Sequence, residues 1–174
     1  MKHLALHTCC APCLMGVYDV LVKETDHITA VFYNPNIEPK DEYCKRRDAC
    51  ADYARKNGID FVEISPADDW QQVDKTHERP CFSCYLLRLG QTAQWAADKD
   101  YDSFATTLSI SPWQNLDAIN EAGMQVAEDY SNLSFEQHNF RNCYRKAQNK
   151  ARILGIYRQN YCGCLPSKNK KKDL

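Results

Sequence analysis

Cysteines are the residues that could do chemistry in this sequence, which contains ten of them among 174 residues. Seven fall into three short clusters: Cys9, Cys10 and Cys13, then Cys81 and Cys84, then Cys162 and Cys164. The first residues lack the pattern of a secretory signal, so we expect a cytoplasmic protein whose thiols stay reduced. Clustered reduced thiols indicate metal or redox chemistry rather than a disulfide framework. We expect the other three, Cys44, Cys50 and Cys143, to be buried or half-buried small hydrophobic residues.

The first cluster, C-C-x-x-C, stands at the predicted start of a helix, a position that stabilises thiolates. With Cys81 and Cys84 it offers four or five thiolates, enough for an iron–sulfur cluster with one more metal beside it. A structural zinc site and a thiol–disulfide relay are the alternatives that spacing alone leaves open. The C-x-C pair of Cys162 and Cys164 fits metal chelation, a strained disulfide, electron transfer to a cluster, or two exposed thiols on a loop.

Strands and helices alternate along the chain in the predicted elements. Apolar and β-branched runs predict strands at residues 3–8, 28–33, 60–64 and 103–108. Amphipathic patterns predict helices at residues 13–23, 40–57, 82–98, from Ser111 with Pro112 in the first turn to about 129, and from Phe140 to Gly155. This alternation indicates an α/β fold with a parallel, doubly wound sheet sandwiched by helices. We expect one domain over residues 1–174, with a core at 1–135 and a C-terminal helix, cysteine loop and disordered basic tail at 136–174.

The residues with chemical potential fall after strands, at one rim of the predicted sheet. The C-C-x-x-C turn follows the first strand, Tyr33-Asn34-Pro35-Asn36 follows the second, and the segment from Thr106 to Pro112 follows the fourth. Ligands on such sheets bind beyond the carboxyl ends of the strands. His7 ends the first strand, where it either contacts the metal or is a hydrogen-bonded histidine near the core.

Charge and glycine placement exclude several classes of protein. The net charge of −1 excludes a chain that coats nucleic acid along its whole length, so a basic site must be local. The six glycines are isolated, which excludes G-x-G-x-x-G and Walker A phosphate loops. The longest apolar runs are far shorter than the ~20 residues that span a bilayer, so we expect no membrane partner.

The last third of the chain carries a local excess of positive charge. Tyrosines are interleaved with the cations: Arg141, Tyr144, Arg145, Lys146, Lys150, Arg152, Tyr157, Arg158, Tyr161 and the lysine-rich tail at 168–172. This composition fits phosphate contact with base stacking on RNA, and it also fits a solvated helix face. Trp113, near the fourth strand, either stacks on a base or fills the core.

Five motifs in order along the chain resemble those of the QueH-type epoxyqueuosine reductases. They are His7-Thr8-Cys9-Cys10-Ala11-Pro12-Cys13, Tyr33-Asn34-Pro35-Asn36-Ile37, Cys81-Phe82-Ser83-Cys84-Tyr85 with Arg88-Leu89, Phe104-Ala105-Thr106-Thr107-Leu108 with Ser111-Pro112, and Tyr157-Arg158-Gln159-Asn160-Tyr161-Cys162-Gly163-Cys164. The resemblance implies a Rossmann-like sheet related to the adenine-nucleotide α-hydrolase group, without its phosphate loop. It also implies reduction of the epoxide of epoxyqueuosine, at the wobble position of tRNAs with a GUN anticodon, as the last step of queuosine biosynthesis.

The resemblance further implies cofactors, partners and site residues. We expect a [4Fe-4S] cluster and an additional mononuclear iron, no cobalamin and no ATP, and an electron donor such as ferredoxin or flavodoxin. The implied cluster ligands are Cys9, Cys10, Cys81 and Cys84, with Cys13 at the additional iron and Cys162 and Cys164 as metal ligands of second rank. Catalytic roles fall to Cys13 and His7. The substrate or tRNA contacts are Tyr33, Asn34, Asn36, Thr106, Thr107, Ser111, Arg158, Asn160 and Tyr161.

Three other functions compete with this hypothesis. A non-catalytic zinc protein that binds RNA would contain zinc and show no visible absorbance. A tRNA-thiolating enzyme of the same fold group would need ATP, and the absent glycine loop argues against it. A thiol–disulfide oxidoreductase would need only one C-x-x-C and would not explain five clustered thiols.

Overall fold

Five parallel strands form one sheet in the computed structural model, which describes residues 1–66, 69–73 and 80–169. The strands are β1 (His3–His7), β2 (His27–Phe32), β3 (Asp60–Glu63), β4 (Ser103–Thr106) and β5 (Ser134–Phe135), in the spatial order β3-β2-β1-β4-β5. All four pairings are parallel. The predicted doubly wound α/β architecture is confirmed.

Helices cover both faces of this sheet, which explains why its central strands are apolar on both sides. They are α1 (Ala11–Leu21), α2 (Lys40–Lys56), α3 (Asp69–Gln72), α4 (Pro80–Asp98), α5 (Leu116–Ala127), α6 (Tyr144–Ile153) and α7 (Leu165–Asn169). Leu4, Ala5 and Leu6 of β1 have no exposed surface. None of the helices in the described ranges is long and apolar enough to cross a membrane.

Gly16 brings α6 against α1. A Cβ atom at this position would lie 2.6 Å from Cδ1 of Ile110 and 2.7 Å from Cβ of Ala147. Only a residue without a side chain therefore allows the two helices to approach this closely. The contact places the basic C-terminal third of the chain beside the turn that follows β1.

The edge of the sheet near β5 contains a half-buried carboxylate, Glu136. It accepts hydrogen bonds from Lys2 Nζ at 3.1 Å, from His138 Nε2 at 3.3 Å and from the Ser103 hydroxyl. Burial alone would raise the pKa of Glu136, but these donors outweigh it and hold the pKa at about 2. The ionised carboxylate therefore ties the first residues of the chain to β4 and to the segment after β5.

Three predictions about elements were wrong or incomplete. Ser111 does not cap a helix: a 3-10 helix spans Thr107–Ile110, and α5 starts only after Asn115, whose Oδ1 accepts from the Ala118 N–H at 3.1 Å. Strand β5 was not predicted, because two residues are too short for a periodic signal. Of the tail predicted to be disordered, residues 168–169 lie in α7, and residues 170–174 lie outside the described residues.

Candidate functional site: a buried thiol centre

Three buried sulfur atoms meet in the turn between β1 and α1. Within the described ranges, Cys9, Cys10 and Cys13 are the group whose potential ligand atoms all lie within 4.8 Å of one another. The Sγ atoms of Cys9 and Cys10 are 3.8 Å apart. Cys10 precedes the first residue of α1, and Pro12 lies in its first turn. The sequence motif thus folds into a compact set of soft donors at the carboxyl edge of the sheet.

The electrostatics of the three thiols differ. Hydrogen bonding with Cys10 and Cys13 lowers the pKa of Cys9 well below its ordinary value, against the effect of burial, and Thr107 helps through a hydroxyl 3.4 Å from its Sγ. Hydrogen bonding within the group and burial raise the pKa of Cys13 well above its ordinary value. Three sulfur atoms this close together, one of them with a lowered pKa, would lose their remaining protons when a soft cation binds.

His7 lies directly beneath this turn and has no exposed surface. Burial, followed by the charge of Arg88, lowers its pKa to about 3, so the ring is neutral. Its Nε2 is 3.2 Å from the carbonyl oxygen of Tyr33, which only accepts, and this fixes the proton on Nε2. Its Nδ1 then accepts from the Thr106 hydroxyl at 2.9 Å. Both ring nitrogens are therefore used within the protein.

A buried arginine lies between the cysteine clusters. Arg88 of α4 is 1% exposed, yet no carboxylate among the described residues pairs with it. Its Nη2 donates to Asn34 Oδ1 at 2.6 Å, and its Nη1 donates to Cys84 Sγ at 3.9 Å. Asn34 in turn donates to the carbonyl oxygen of Thr8 at 2.9 Å. A buried guanidinium without a carboxylate partner requires another anion nearby. Thiolates of the cysteine clusters are the anions that could fill this role.

Arg88 belongs to the third sequence motif, but sequence reasoning gave it no role in the site. The signal was present, because Arg88 interrupts the apolar run of α4 three to four residues after Cys84 and Tyr85, on the face that those residues bury. A cation on the buried face of a helix indicates a buried anionic partner.

A second buried arginine anchors the C-x-C loop. Arg46 of α2 forms an ion pair with Glu42 at 2.7 Å and is 1% exposed. Its Nη1 donates to the carbonyl oxygen of Cys162 at 2.8 Å, and its Nη2 donates to that of Tyr161 at 3.0 Å. The same guanidinium lies 5.1 Å from the centre of the Tyr161 ring. Arg46 and Glu42 were also missed, because α2 reads as a polar surface helix.

The loop requires glycine between its two cysteines. Gly163 has a φ of +143°, which favours glycine, and an added Cβ atom would lie 3.0 Å from both Asn36 Nδ2 and Ile37 Cγ1. The Glu38 N–H donates to the Gly163 carbonyl oxygen at 2.9 Å. The loop therefore packs directly on the residues that follow β2.

Cys162 and Gln159 bring this loop to the other thiols. Gln114 Nε2 donates to the Sγ atom of Cys162 at 3.2 Å. Gln159 Nε2 lies 2.7 Å from the Sγ atom of Cys10, although the two residues are 149 positions apart in sequence. The structure thus joins the first and third cysteine clusters at one rim, with Arg88 between them.

Several buried polar atoms at this rim have no hydrogen-bond partner. They are the side-chain amide atoms of Asn36, Nε of Arg88 and Oε1 of Gln159. Buried polar groups are normally satisfied, so a cluster of exceptions beside a thiol set indicates a site that a bound group completes. The donor chemistry and these unpaired atoms fit an iron–sulfur centre with a polar substrate against it.

The remaining predicted site residues divide into buried and exposed groups. Cys84 is buried, whereas Cys81, three positions earlier at the start of α4, is exposed and lies outside the three-sulfur group. The buried group beneath the rim comprises Tyr33, Asn34, Asn36, Thr106 and Thr107. Ser111, Cys162 and Cys164 are half-buried, Tyr161 is buried, and Arg158 and Asn160 are exposed. Their predicted roles as ligands or substrate contacts stay predictions.

The fold and the site together define an α/β protein with a buried thiol centre, of a kind suited to soft metal ions, at the carboxyl edge of a parallel sheet. The family model described as "Epoxyqueuosine reductase QueH" matches residues 4–170. The chain belongs to this family, whose members are oxidoreductases. The resemblance seen in the five motifs is thereby confirmed.

Curated relatives of the same name support this assignment. The Epoxyqueuosine reductase QueH of Acinetobacter baylyi is 32% identical over 177 residues, covering 94% of this chain and 79% of the relative. The protein of that name from Thermotoga maritima is 35% identical over 177 residues, covering 95% of this chain and 90% of the relative. The match therefore extends over most of both chains.

A solved structure supports the fold. The chain is similar to the U34-tRNA thiolase NcsA from Methanococcus maripaludis with its [4Fe-4S] cluster, at a TM-score of 0.57 and 16% identity. The similarity covers 99% of this chain and 63% of that one. At this identity the comparison supports the architecture alone, and it agrees with the adenine-nucleotide α-hydrolase-like fold that the resemblance implied.

Proposed function

We propose that this protein reduces the epoxide of epoxyqueuosine to the alkene of queuosine, at the wobble position of tRNAs with a GUN anticodon. The observation that carries the proposal is the buried Cys9, Cys10 and Cys13 group at the rim of the sheet in a chain of the QueH family. The reaction uses a [4Fe-4S] cluster and an adjacent iron, and needs neither cobalamin nor ATP. Ferredoxin or flavodoxin is the class of electron donor.

The clustered thiols are suited to hold these metals. Cys9, Cys10, Cys81 and Cys84 are proposed as cluster ligands, with Cys13 at the additional iron and the C-x-C pair as further ligands. When bound, the metals supply electrons one at a time and a Lewis acid for the epoxide oxygen. Cys9 enters this set with its pKa already lowered, which favours the thiolate form that binds metal.

Residues around the thiols have supporting roles in this proposal. Arg88 supplies the positive charge that compensates buried thiolates, and through Asn34 it holds the Thr8 carbonyl in the turn. His7 is neutral with both ring nitrogens engaged, so we assign it the task of orienting the turn rather than of donating a proton. Gln159 covers Cys10 and restricts the entry of water to the thiols.

The exposed polar residues of the C-terminal loop are proposed to receive the tRNA. Arg158 and Asn160 flank Gln159 on the solvent side, so the cation can contact a phosphate while the amide contacts the base. The buried residues Tyr33, Thr106 and Thr107 then support the floor of the site. Asn36, whose amide atoms are unpaired, is proposed to bind the polar groups of the substrate.

The test is metal and acid-labile sulfide analysis of protein purified without oxygen, followed by assay of epoxide reduction on tRNA. We expect iron, sulfide and a broad absorbance near ~400 nm, with turnover by a reduced low-potential donor. Cys10→Ala should lose iron and turnover while remaining folded, and Cys44→Ala, a cysteine of α2 outside the thiol clusters, should retain both. Bound zinc without sulfide or turnover, even after reconstitution with iron, would favour the non-catalytic zinc protein instead.

A further inference from the structure

The side chain of Trp113 is exposed to solvent near the thiol centre. Trp113 is 76% exposed, and its ring contacts Tyr144 edge-to-face, with centroids 5.2 Å apart and an interplanar angle of 81°. In this arrangement each ring keeps at least one face that the other does not cover. The pair is therefore an aromatic surface with a face available for stacking.

The backbone that carries Trp113 is fixed. Its N–H donates to the Ser111 hydroxyl at 3.3 Å, and the next carbonyl oxygen, that of Gln114, accepts from Arg141 Nη2 at 2.7 Å. The Gln114 side chain is also held, because it accepts from the Tyr85 hydroxyl. A stacking surface that is already ordered loses little conformational entropy when a ligand binds.

The aromatic pair is adjacent in sequence to segments that contact the thiol centre. Gln114 follows Trp113 and donates to the Sγ atom of Cys162 at 3.2 Å. Tyr144 begins α6, which packs through Gly16 on α1, the helix that follows Cys10. The pair is therefore linked both to the Cys162 loop and to the helix that follows Cys10.

The charge around the pair is positive. Arg145 and Lys146 follow Tyr144 and are exposed, as is Arg141, and none of them forms an ion pair with a carboxylate in the described part of the chain. Unpaired guanidinium and ammonium groups around exposed aromatic rings match the chemistry of single-stranded nucleic acid, in which phosphates alternate with stacking bases.

From this juxtaposition we infer that Trp113 and Tyr144 form a stacking platform for an unpaired base next to the modified nucleotide in the tRNA anticodon loop. The inference rests on the proposed function. It adds the aromatic pair that would hold the tRNA anticodon loop open. Flanking cations contact the phosphates on either side of the stacked base. The platform thereby keeps the modified base directed at the thiols.

The test is the affinity of the metal-loaded protein for a synthetic anticodon stem-loop of a GUN tRNA. Trp113→Ala should weaken Kd about 10-fold or more, the typical effect of removing one base–aromatic stack, and Trp113→Phe should retain most of the affinity. Binding should also quench the exposed indole of Trp113 in the wild type. Ile153→Ala, a 70% exposed apolar residue at the other end of α6, is the matched control and should change nothing.

The outcomes separate this inference from the proposed function. If the wild type binds no stem-loop, the tRNA substrate itself is wrong. If the wild type binds and Trp113→Ala binds equally well with equal iron content, the platform is refuted while the proposed function stands. If Trp113→Ala slows only electron delivery from the donor protein and leaves RNA affinity intact, the patch is a docking site for the donor and the inference is also refuted.

Discussion

Replacing Arg46 with methionine should release the C-x-C loop without unfolding the protein. Methionine fills similar volume but provides no charge and no donors, so the loop loses its two hydrogen bonds to the carbonyl oxygens of Tyr161 and Cys162. The Tyr161 hydroxyl still donates to the Glu38 carbonyl oxygen, and the core of the sheet is untouched. The change should therefore appear as local opening.

The size of the effect follows from the two lost bonds. A hydrogen bond that involves a charged group contributes about 1.5–3 kcal/mol, so the pair contributes about 4 kcal/mol to keeping the loop closed. Because about 1.4 kcal/mol corresponds to tenfold in an equilibrium constant, the open population should rise at least about 100-fold. The Glu42 carboxylate, which still accepts from Tyr157, also loses its ion-pair partner and adds to the destabilisation.

Thiol labelling measures this opening directly. Metal-free protein is treated with an alkylating reagent, and modification of Cys162 and Cys164 is followed by peptide mass spectrometry, with Cys50, which is fully buried in α2, reporting global unfolding. Arg47→Met is the matched control, since Arg47 is adjacent in the same helix and pairs with exposed carboxylates at the surface. Unchanged labelling of Cys162 in Arg46→Met, or equal acceleration at Cys50, would refute the reasoning.

Three further predictions concern other parts of the molecule. Burial raises the pKa of Cys84 to about 11, and the Arg88 guanidinium, 3.9 Å from its sulfur, offsets part of this by an attraction of about 4 kcal/mol at an effective dielectric constant of about 20. Arg88→Met should therefore lower iron content after reconstitution, and full iron occupancy would contradict this. Gly163→Ala should lower Tm by about 4 °C in a thermal melt, and by more than Gly155→Ala, which meets no neighbouring atom; equal shifts would show that packing on Asn36 is unimportant. Because the folded pKa of Glu136 is about 2, below the unfolded value, its contribution of at most about 3 kcal/mol is present above pH ~5 and disappears as pH falls towards 2. Glu136→Gln should therefore reduce the loss of unfolding free energy between pH ~5 and pH ~2. An unchanged pH dependence in this range would show that Glu136 is not responsible for it.

The sequence was informative wherever structure depends on neighbours along the chain. The apolar strands, Pro12 in the first turn of α1 and the glycine after α6 all act within a few residues, so the sheet could be predicted. The helix start predicted at Ser111 was wrong, although the segment fits a local capping pattern. A 3-10 helix precedes Ser111, and α5 begins only after Asn115. A capping pattern states where a helix can begin, and packing decides where it does.

The supporting shell of the site could not be predicted for the opposite reason. Arg46 and its acceptor at Cys162 are 116 positions apart, and Arg88 and Asn34 are 54 apart. The periodicity of hydrophobic residues along the chain does not indicate such pairs, because these hydrogen bonds form only after folding has brought the two elements together. The cysteine motifs were visible because adjacent residues supply several donors at once, whereas each arginine acts alone.

The distance along the chain between Cys10 and Gln159 has a consequence for the order of biogenesis. During synthesis the three thiols of the first turn leave the ribosome early, and the residue that covers them emerges 149 positions later. A nascent chain therefore exposes these soft donors to available cations and oxidants until Gln159 has been synthesised. The yield of correctly metallated protein then depends on what the thiols encounter before Gln159 covers them.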